Sequence, residues 1–217
     1  IAKGSFAEAQ ADFLEPDGRS VKEVDALLRE KKIGVVAHFY MDPELQGVLS
    51  SCSWPHIHIS DSLLMADRAI AMAEAGVEAV IVLGVDFMSE NVRAMLNEAG
   101  YPDLPVFRVQ EAEIGCSLAA SADSPRYAAW LHQCATQGAG LHVVYINTSL
   151  ETKARAHRLV PTITCTSSNV VATVLQAFAQ VPDLRVYFGP DTYMGENLEQ
   201  LFKSLAAMDD ETIQQLH

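Results

Sequence analysis

The chain reads as an α/β protein with parallel strands, on three observations. Short apolar runs alternate with amphipathic stretches of helical period, the order strand, helix, strand, helix that parallel pairing requires. Each apolar run stops at a polar or aromatic cluster. These clusters also come in the same order twice: HFY (38–40), SDS (60–62) and GVDFMSEN (84–91) in the first half, YIN (145–147), TSS (166–168) and GPDTYMGEN (189–197) in the second. Successive landmarks lie about 20 residues apart, one α/β unit each.

In chain order, VKEVDALLREKK spaces its apolar residues as an amphipathic helix, and KKIGVVAHF is a buried strand that stops before Asp42-Pro43. PELQGVLSSC reads as a helix and HIHIS as a second strand. LLMADRAIAMAEAG is a long helix closing on Gly76. AVIVLG, the helix FMSENVRAMLNEAG and the short strand LPVFRV complete the first half. The second half runs helix RYAAWLHQCAT, strand LHVVYI, helix SLETKARAHRL, strand TITCT, helix NVVATVLQAFAQ, strand LRVYF and helix ENLEQLFKSLAAM, with DDETIQQLH as a last helix. The expected boundaries are an N-terminal extension at 1–20, a first α/β domain at 21–120 and a second at 121–217.

Composition narrows the function classes. With 217 residues, 49% of them hydrophobic, the chain can bury one large core or two of about 100 residues each. A net charge of −13, spread along the chain, repels nucleic acid and anionic lipid. The apolar runs are shorter than a membrane helix needs, and the N-terminal 20 residues lack an apolar signal region. The chain opens on Ile1, so an upstream piece such as a targeting segment is an open expectation. The four cysteines (Cys52, Cys116, Cys134, Cys165) are widely separated and form no C-x-x-C pair, which fits a reducing compartment; by spacing alone each reads as a small buried hydrophobe.

Ligands of parallel α/β sheets bind beyond the carboxyl ends of the strands, so the polar strand ends are the candidate site. His38 and Tyr40 stand two apart at one such end, as do Tyr145 and Asn147 at another, so each pair points to one side of its sheet. The alternative is that the tyrosines cap the core with their hydroxyls in water. Ser62 and Ser167-Ser168 precede long helices, where hydroxyls and free N–H groups can hold a carboxylate or phosphate; equally, serine is a common N-cap worth about 1 kcal/mol. His56 and His58 could chelate a metal from one strand face, but without a third ligand they read as an edge-strand pair. Lys153, Arg155 and Arg158 form a charged helix face, with Lys153 near enough to the second rim to meet an anion. There is no P-loop, no G-x-S-x-G elbow and no G-x-G-x-x-G after a strand, which leaves a nicotinamide-dependent oxidoreductase without a fingerprint.

Together, VVAHFYMDPELQ, ISDSLLMADRA, VLGVDFMSENVRAM, IGCSLA, HVVYINTSLETKA, TCTSSNVV and GPDTYMGENL resemble the quinolinate synthases of NAD biosynthesis, the plastid-type members in particular, over residues 33–202. The resemblance implies pseudo-symmetric α/β/α three-layer domains with short parallel sheets. Three such domains would surround a cavity and give one cysteine each to a 4Fe-4S cluster. By motif, Cys116 is the cluster ligand of the first domain. His38, Ser62, Asn147 and Ser167 match substrate-binding positions, and Tyr40 and Tyr145 match catalytic positions implicated in proton transfer. GVDFMSEN and GPDTYMGEN would be equivalent corners. The family condenses iminoaspartate with dihydroxyacetone phosphate to quinolinate. The resemblance further implies a plastid location in a photosynthetic eukaryote and the cytoplasm otherwise, with a homodimer and a sulfur-transfer domain or protein as candidate partners.

Two further cluster cysteines would lie beyond His217, because Cys134 and Cys165 do not match them. The expectation is therefore a fragment of a longer enzyme, lacking the third domain and inactive by itself. The alternative from another class is a non-catalytic small-anion-binding module without a cluster.

Overall fold

The computed structural model describes residues 4–216. The chain divides into two compact units, Ile1–Gly115 and Cys116–His217.

The first unit runs α1 (Ser5–Leu14), α2 (Gly18–Glu30), β1 (Ile33–His38), α3 (Pro43–Ser51), β2 (Ile57–Ser60), α4 (Leu64–Glu74), β3 (Ala79–Leu83), α5 (Asp86–Glu98) and β4 (Val106–Arg108). All strand pairs are parallel, in the order β2-β1-β3-β4. Alternation along the strands builds the layers, because successive side chains leave opposite faces. Val36, Val80 and Val82 pack with Met65, Ala69 and Met72 of α4 and with Met88, Val92 and Leu96 of α5. Val35, Ala37, Ile81 and Leu83 pack on the other side with Leu28 of α2 and Leu49 of α3. The result is an α/β/α sandwich. Asp17 and Asp42 start α2 and α3 by accepting the first backbone N–H groups of each helix. The N-terminal extension holds a helix, α1, that lies against α3. Their close approach depends on Gly47, where a Cβ would come within 2.6 Å of the Phe13 carbonyl oxygen.

The second unit runs α6 (Ser117–Ala120), a 3₁₀ turn (Ser121–Asp123), α7 (Pro125–Ala135), β5 (Gly140–Tyr145), α8 (Leu150–Leu159), β6 (Thr162–Cys165), α9 (Val170–Gln180), β7 (Arg185–Gly189), α10 (Thr192–Ala206) and α11 (Asp210–Leu216). Its strands are parallel in the order β6-β5-β7, the order of β2-β1-β3 over again. Val143, Tyr145, Cys165 and Phe188 pack with Val170 and Val174 of α9 and Leu198 of α10. The opposite face carries His142 and Val144, with α8 packed on β5 and β6 and α7 reaching His142 through Tyr127. Each unit is thus a three-layer α/β/α fold with a short parallel sheet, as the sequence predicts. Among the described residues no helix is long and apolar enough to cross a membrane.

Candidate active site

Backbone register places the two first-strand ends in correspondence. His38 lies opposite Ser60 and Tyr145 opposite Cys165, at the last rung of each ladder. One residue further, the Phe39 N–H donates to Ser60 O at 3.1 Å and the Ile146 N–H to Cys165 O at 2.9 Å. Both chains then turn back, through Met41 N to His38 O (3.0 Å) and Thr148 N to Tyr145 O (3.2 Å).

At the first end, the Tyr40 backbone N–H donates to His38 Nδ1 at 3.3 Å. Nδ1 is therefore an acceptor, and the neutral ring carries its proton on Nε2. His38 is buried, and burial holds its pKa below the usual histidine value against the opposing charge of Asp61. Tyr40 stands edge-on to it with ring centroids 4.6 Å apart, yet is 82% exposed because it lies past the end of β1 in the turn. Ser62 is buried at the neighbouring strand end but does not cap α4. That role falls to Asp61, whose Oδ1 accepts from Leu63 N (2.9 Å) and Leu64 N (3.1 Å). The capping alternative for Ser62 thus fails, because a carboxylate one residue earlier already occupies the helix start.

At the second end, the Tyr145 hydroxyl donates to Asp191 Oδ2 at 3.3 Å, while Asp191 Oδ1 accepts Met194 N (3.1 Å) and starts α10. Burial, then the Asp191 carboxylate and Cys165, push the Tyr145 phenol up to about 12. Asn147 donates from Nδ2 to Cys116 Sγ at 3.3 Å, and its Oδ1 is buried without a partner. A buried acceptor without a donor is a place where a ligand N–H or O–H would be bound. Ser167 is exposed in a loop fastened by Asn169, whose Oδ1 accepts Thr166 N at 2.8 Å, so it does not cap α9 either. Lys153 reaches the strand end through its own backbone contact, Nζ to Ile146 O at 2.6 Å.

The two GxD corners are not equivalent. Ala37 pairs with Leu83 but Val144 pairs with Gly189, so the ladders match Gly189 to Leu83 and shift the similar phrases by one residue. Asp191 precedes its helix and meets Tyr145. Asp86 lies in the first turn of α5, pairs with Arg108 and accepts Ile114 N at 2.9 Å, tying down the segment after β4. Gly189 leaves room for Tyr127, whose Oη would sit 2.2 Å from an added Cβ.

Of the other nucleophilic and metal-ligating residues, Cys52, Cys134 and Cys165 sit in packed or hydrogen-bonded places, while His58 buries an Nε2 without a partner. Cys134 and Cys165 are buried, and burial pushes the Cys165 thiol up to about 12. The Cys52 thiol donates to Val48 O at 3.3 Å. His58 lies on the edge strand β2, and His56 stacks edge-on against Trp54 at 4.8 Å. Cys116 is half-buried, immediately before α6.

The family described as quinolinate synthetase A protein matches residues 22–213. The chain belongs to this family. A chloroplastic quinolinate synthase of Nicotiana tabacum is 64% identical over 217 residues, 99% of this chain and 30% of that protein. The chloroplastic quinolinate synthase of Arabidopsis thaliana is 60% identical over 218 residues, again 30% of its length. A quinolinate synthase of Mycobacterium sp. (strain KMS) is 32% identical over 197 residues, 90% of this chain and 50% of the bacterial protein. The chain thus spans under a third of the plant relatives and half of the bacterial one.

A 4Fe-4S cluster takes about three or four thiolates. Among the described residues no three His, Cys, Asp or Glu side chains converge on a metal position. Cys116, with the Asn147 N–H directed at its sulfur, can furnish one ligand; the residues described do not by themselves fit a whole cluster. Sequence reasoning missed Asp61 and Asp191, which fix the two rims. Both stand in quoted motifs, but a carboxylate before a helix looks the same whether it only caps or also meets a neighbour.

Proposed function

We propose that the whole protein carrying this chain is a plastid quinolinate synthase, condensing iminoaspartate with dihydroxyacetone phosphate in NAD biosynthesis. What carries the reading is the family match over 22–213, reinforced by the corresponding strand ends at His38 and Tyr145. The names of the plant relatives support the compartment. Tyr40 and Tyr145 serve proton transfer. His38, Ser62, Asn147 and Ser167 bind substrate: His38 offers an Nε2–H donor and Asn147 an unpaired Oδ1. Cys116 furnishes one ligand of a 4Fe-4S cluster whose remaining thiolates lie outside the described residues. The extension 1–20 and domains 21–120 and 121–217 belong to the same proposal. So do a homodimer and a sulfur-transfer partner.

The test uses the full-length protein, prepared anaerobically with iron and sulfide. Wild type is expected to show the visible absorption of a cluster and to form quinolinate. Cys116→Ala loses both, while Tyr145→Phe and Tyr40→Phe keep the absorption and lower turnover by about 100-fold or more. Undiminished quinolinate formation by Cys116→Ala sinks the assignment of that ligand. Small-anion binding with neither absorption nor product indicates a binding module instead.

A further inference from the structure

We propose that Asp191 is the positioning residue of Tyr145: its carboxylate accepts a hydrogen bond from the hydroxyl, turns the oxygen lone pairs to the opposite side and holds the group as a phenol. The inference rests on the reading of Tyr145 as a proton-transfer residue and adds the group that sets its state.

Asp191 is held at both carboxylate oxygens. Oδ1 accepts Met194 N as the N-cap of α10, which leaves Oδ2 to receive Tyr145 Oη at 3.3 Å. That distance exceeds the roughly 2.7 Å usual for a hydroxyl donor, so direction and charge carry the effect rather than a short bond. Tyr145 is itself immobilised. It ends β5, is 7% exposed and meets Phe188 edge-on at 5.3 Å, with Val170 and Val174 of α9 and Leu198 of α10 in the same cluster. The titratable groups acting on it are Asp191 and Cys165, and the burial of Cys165 keeps that thiol neutral. Among the described residues Asp191 supplies the negative charge that acts on Tyr145, while the Lys153 ammonium sits on the neighbouring Ile146 carbonyl. Ionising Tyr145 would set two negative charges side by side in a half-buried place, which disfavours the phenolate. A ligand at this strand end meets a phenol oxygen that accepts a hydrogen bond. The corresponding end of the first unit offers a different group, the Nε2–H of His38.

The experiment places 3-fluorotyrosine at position 145 of the full-length protein and follows its ionisation by fluorine NMR without substrate. In wild type the midpoint is expected to lie above that of free fluorotyrosine. Asp191→Asn keeps an oxygen acceptor for Met194 N, removes the charge and turns an amide N–H donor toward Tyr145 Oη; it should lower the midpoint by about one unit or more, with the thermal unfolding midpoint unchanged. Asp191→Ala should lower it likewise and also destabilise the start of α10. An unchanged midpoint in Asp191→Asn overturns the proposal and leaves Asp191 as a cap alone. Because no substrate is present, this outcome is independent of whether the protein forms quinolinate.

Discussion

The two units share a strand order but fill their layers differently. In the first, β1 sends Val35 to one helix layer and Val36 to the other, both buried, and Met and Leu side chains close both faces. In the second, the residue in the place of Val35 is His142: Val35 N binds His56 O and His142 N binds Pro161 O, each at 2.8 Å. His142 is fully buried between Tyr127 Oη (2.7 Å from Nε2) and Thr162 Oγ1 (3.2 Å from Nδ1). The other face is thin. Phe178 and Leu175 of α9 stay 40% and 44% exposed, and a cavity of about 370 Å³ opens among Val174, Phe178, Phe188, Leu198 and Phe202. One topology therefore tolerates an apolar or a polar filling, while the polar residues at the strand ends keep their places. The first unit is built for packing; the second depends on a neutral imidazole.

The sharpest way to break this contrast is to hollow the better packed unit. Leu96, fully buried in α5, is expected to cost about 2–5 kcal/mol on replacement by Ala, read by urea unfolding. Phe178→Ala should cost clearly less, because its ring is already part exposed; equal losses would erase the distinction.

Acid should weaken the second unit most, because His38 and His58 of the first unit are also held low by burial but His142 by far more. Burial lowers the His142 pKa to about 4, against an ordinary value of 6.5 in the unfolded chain. The unfolded state then binds the extra proton first, so stability is intact above about pH 6.5 and falls as the pH drops toward 4, by roughly 3 kcal/mol in all. Hydrogen exchange at pH 7 and pH 4.5 should show protection lost around β5 before β1. His142→Val, copying Val35, should flatten that acid slope even if it lowers stability at neutral pH.

Gly189→Ala should cost about 1–3 kcal/mol, since the new methyl group must displace Tyr127 from His142. The same change at Gly76, where no atom stands within 4 Å, meets only backbone strain at φ +87. At the low end, Glu199→Gln removes the partner of Lys203 on exposed α10 and should leave the unfolding midpoint unchanged, as surface pairs of this kind usually do.

Much of this was legible beforehand. Strands β1, β3 and β5 announce themselves as apolar runs, and helices α4 and α5 by their period, because burial on a fixed face imposes those patterns. The sequence predicts helix α10 from Glu196, but it begins at Thr192, because Asp191 caps it a turn earlier. Helix α1 was not anticipated as part of the fold, since its contact with α3 rests on a glycine rather than an apolar stripe. At the rims, the sequence located His38 and Tyr145 at strand ends, whereas Tyr40 and Asn147 fall in the turns that follow, where strand alternation no longer sets their direction. It could not assign Asp61 to a cap in place of Ser62, because neighbouring oxygen-bearing side chains compete for the same N–H groups and only geometry decides. Nor could it see that the two GxD phrases are out of step, since a one-residue shift between strand and helix leaves no mark on composition.

The chain's two tryptophans fall one to each unit. Trp54 donates its indole N–H to Ile33 O at 2.7 Å beneath the Arg29 guanidinium, whereas Trp130 lies edge-on to His142 with ring centroids 6.1 Å apart. Imidazolium quenches indole emission, and each indole has an imidazole neighbour, His142 for Trp130 and His56, at 4.8 Å, for Trp54; Trp130 should hold its brightness until the pH falls toward 4. Single-tryptophan variants would then give each half of the molecule its own optical reporter.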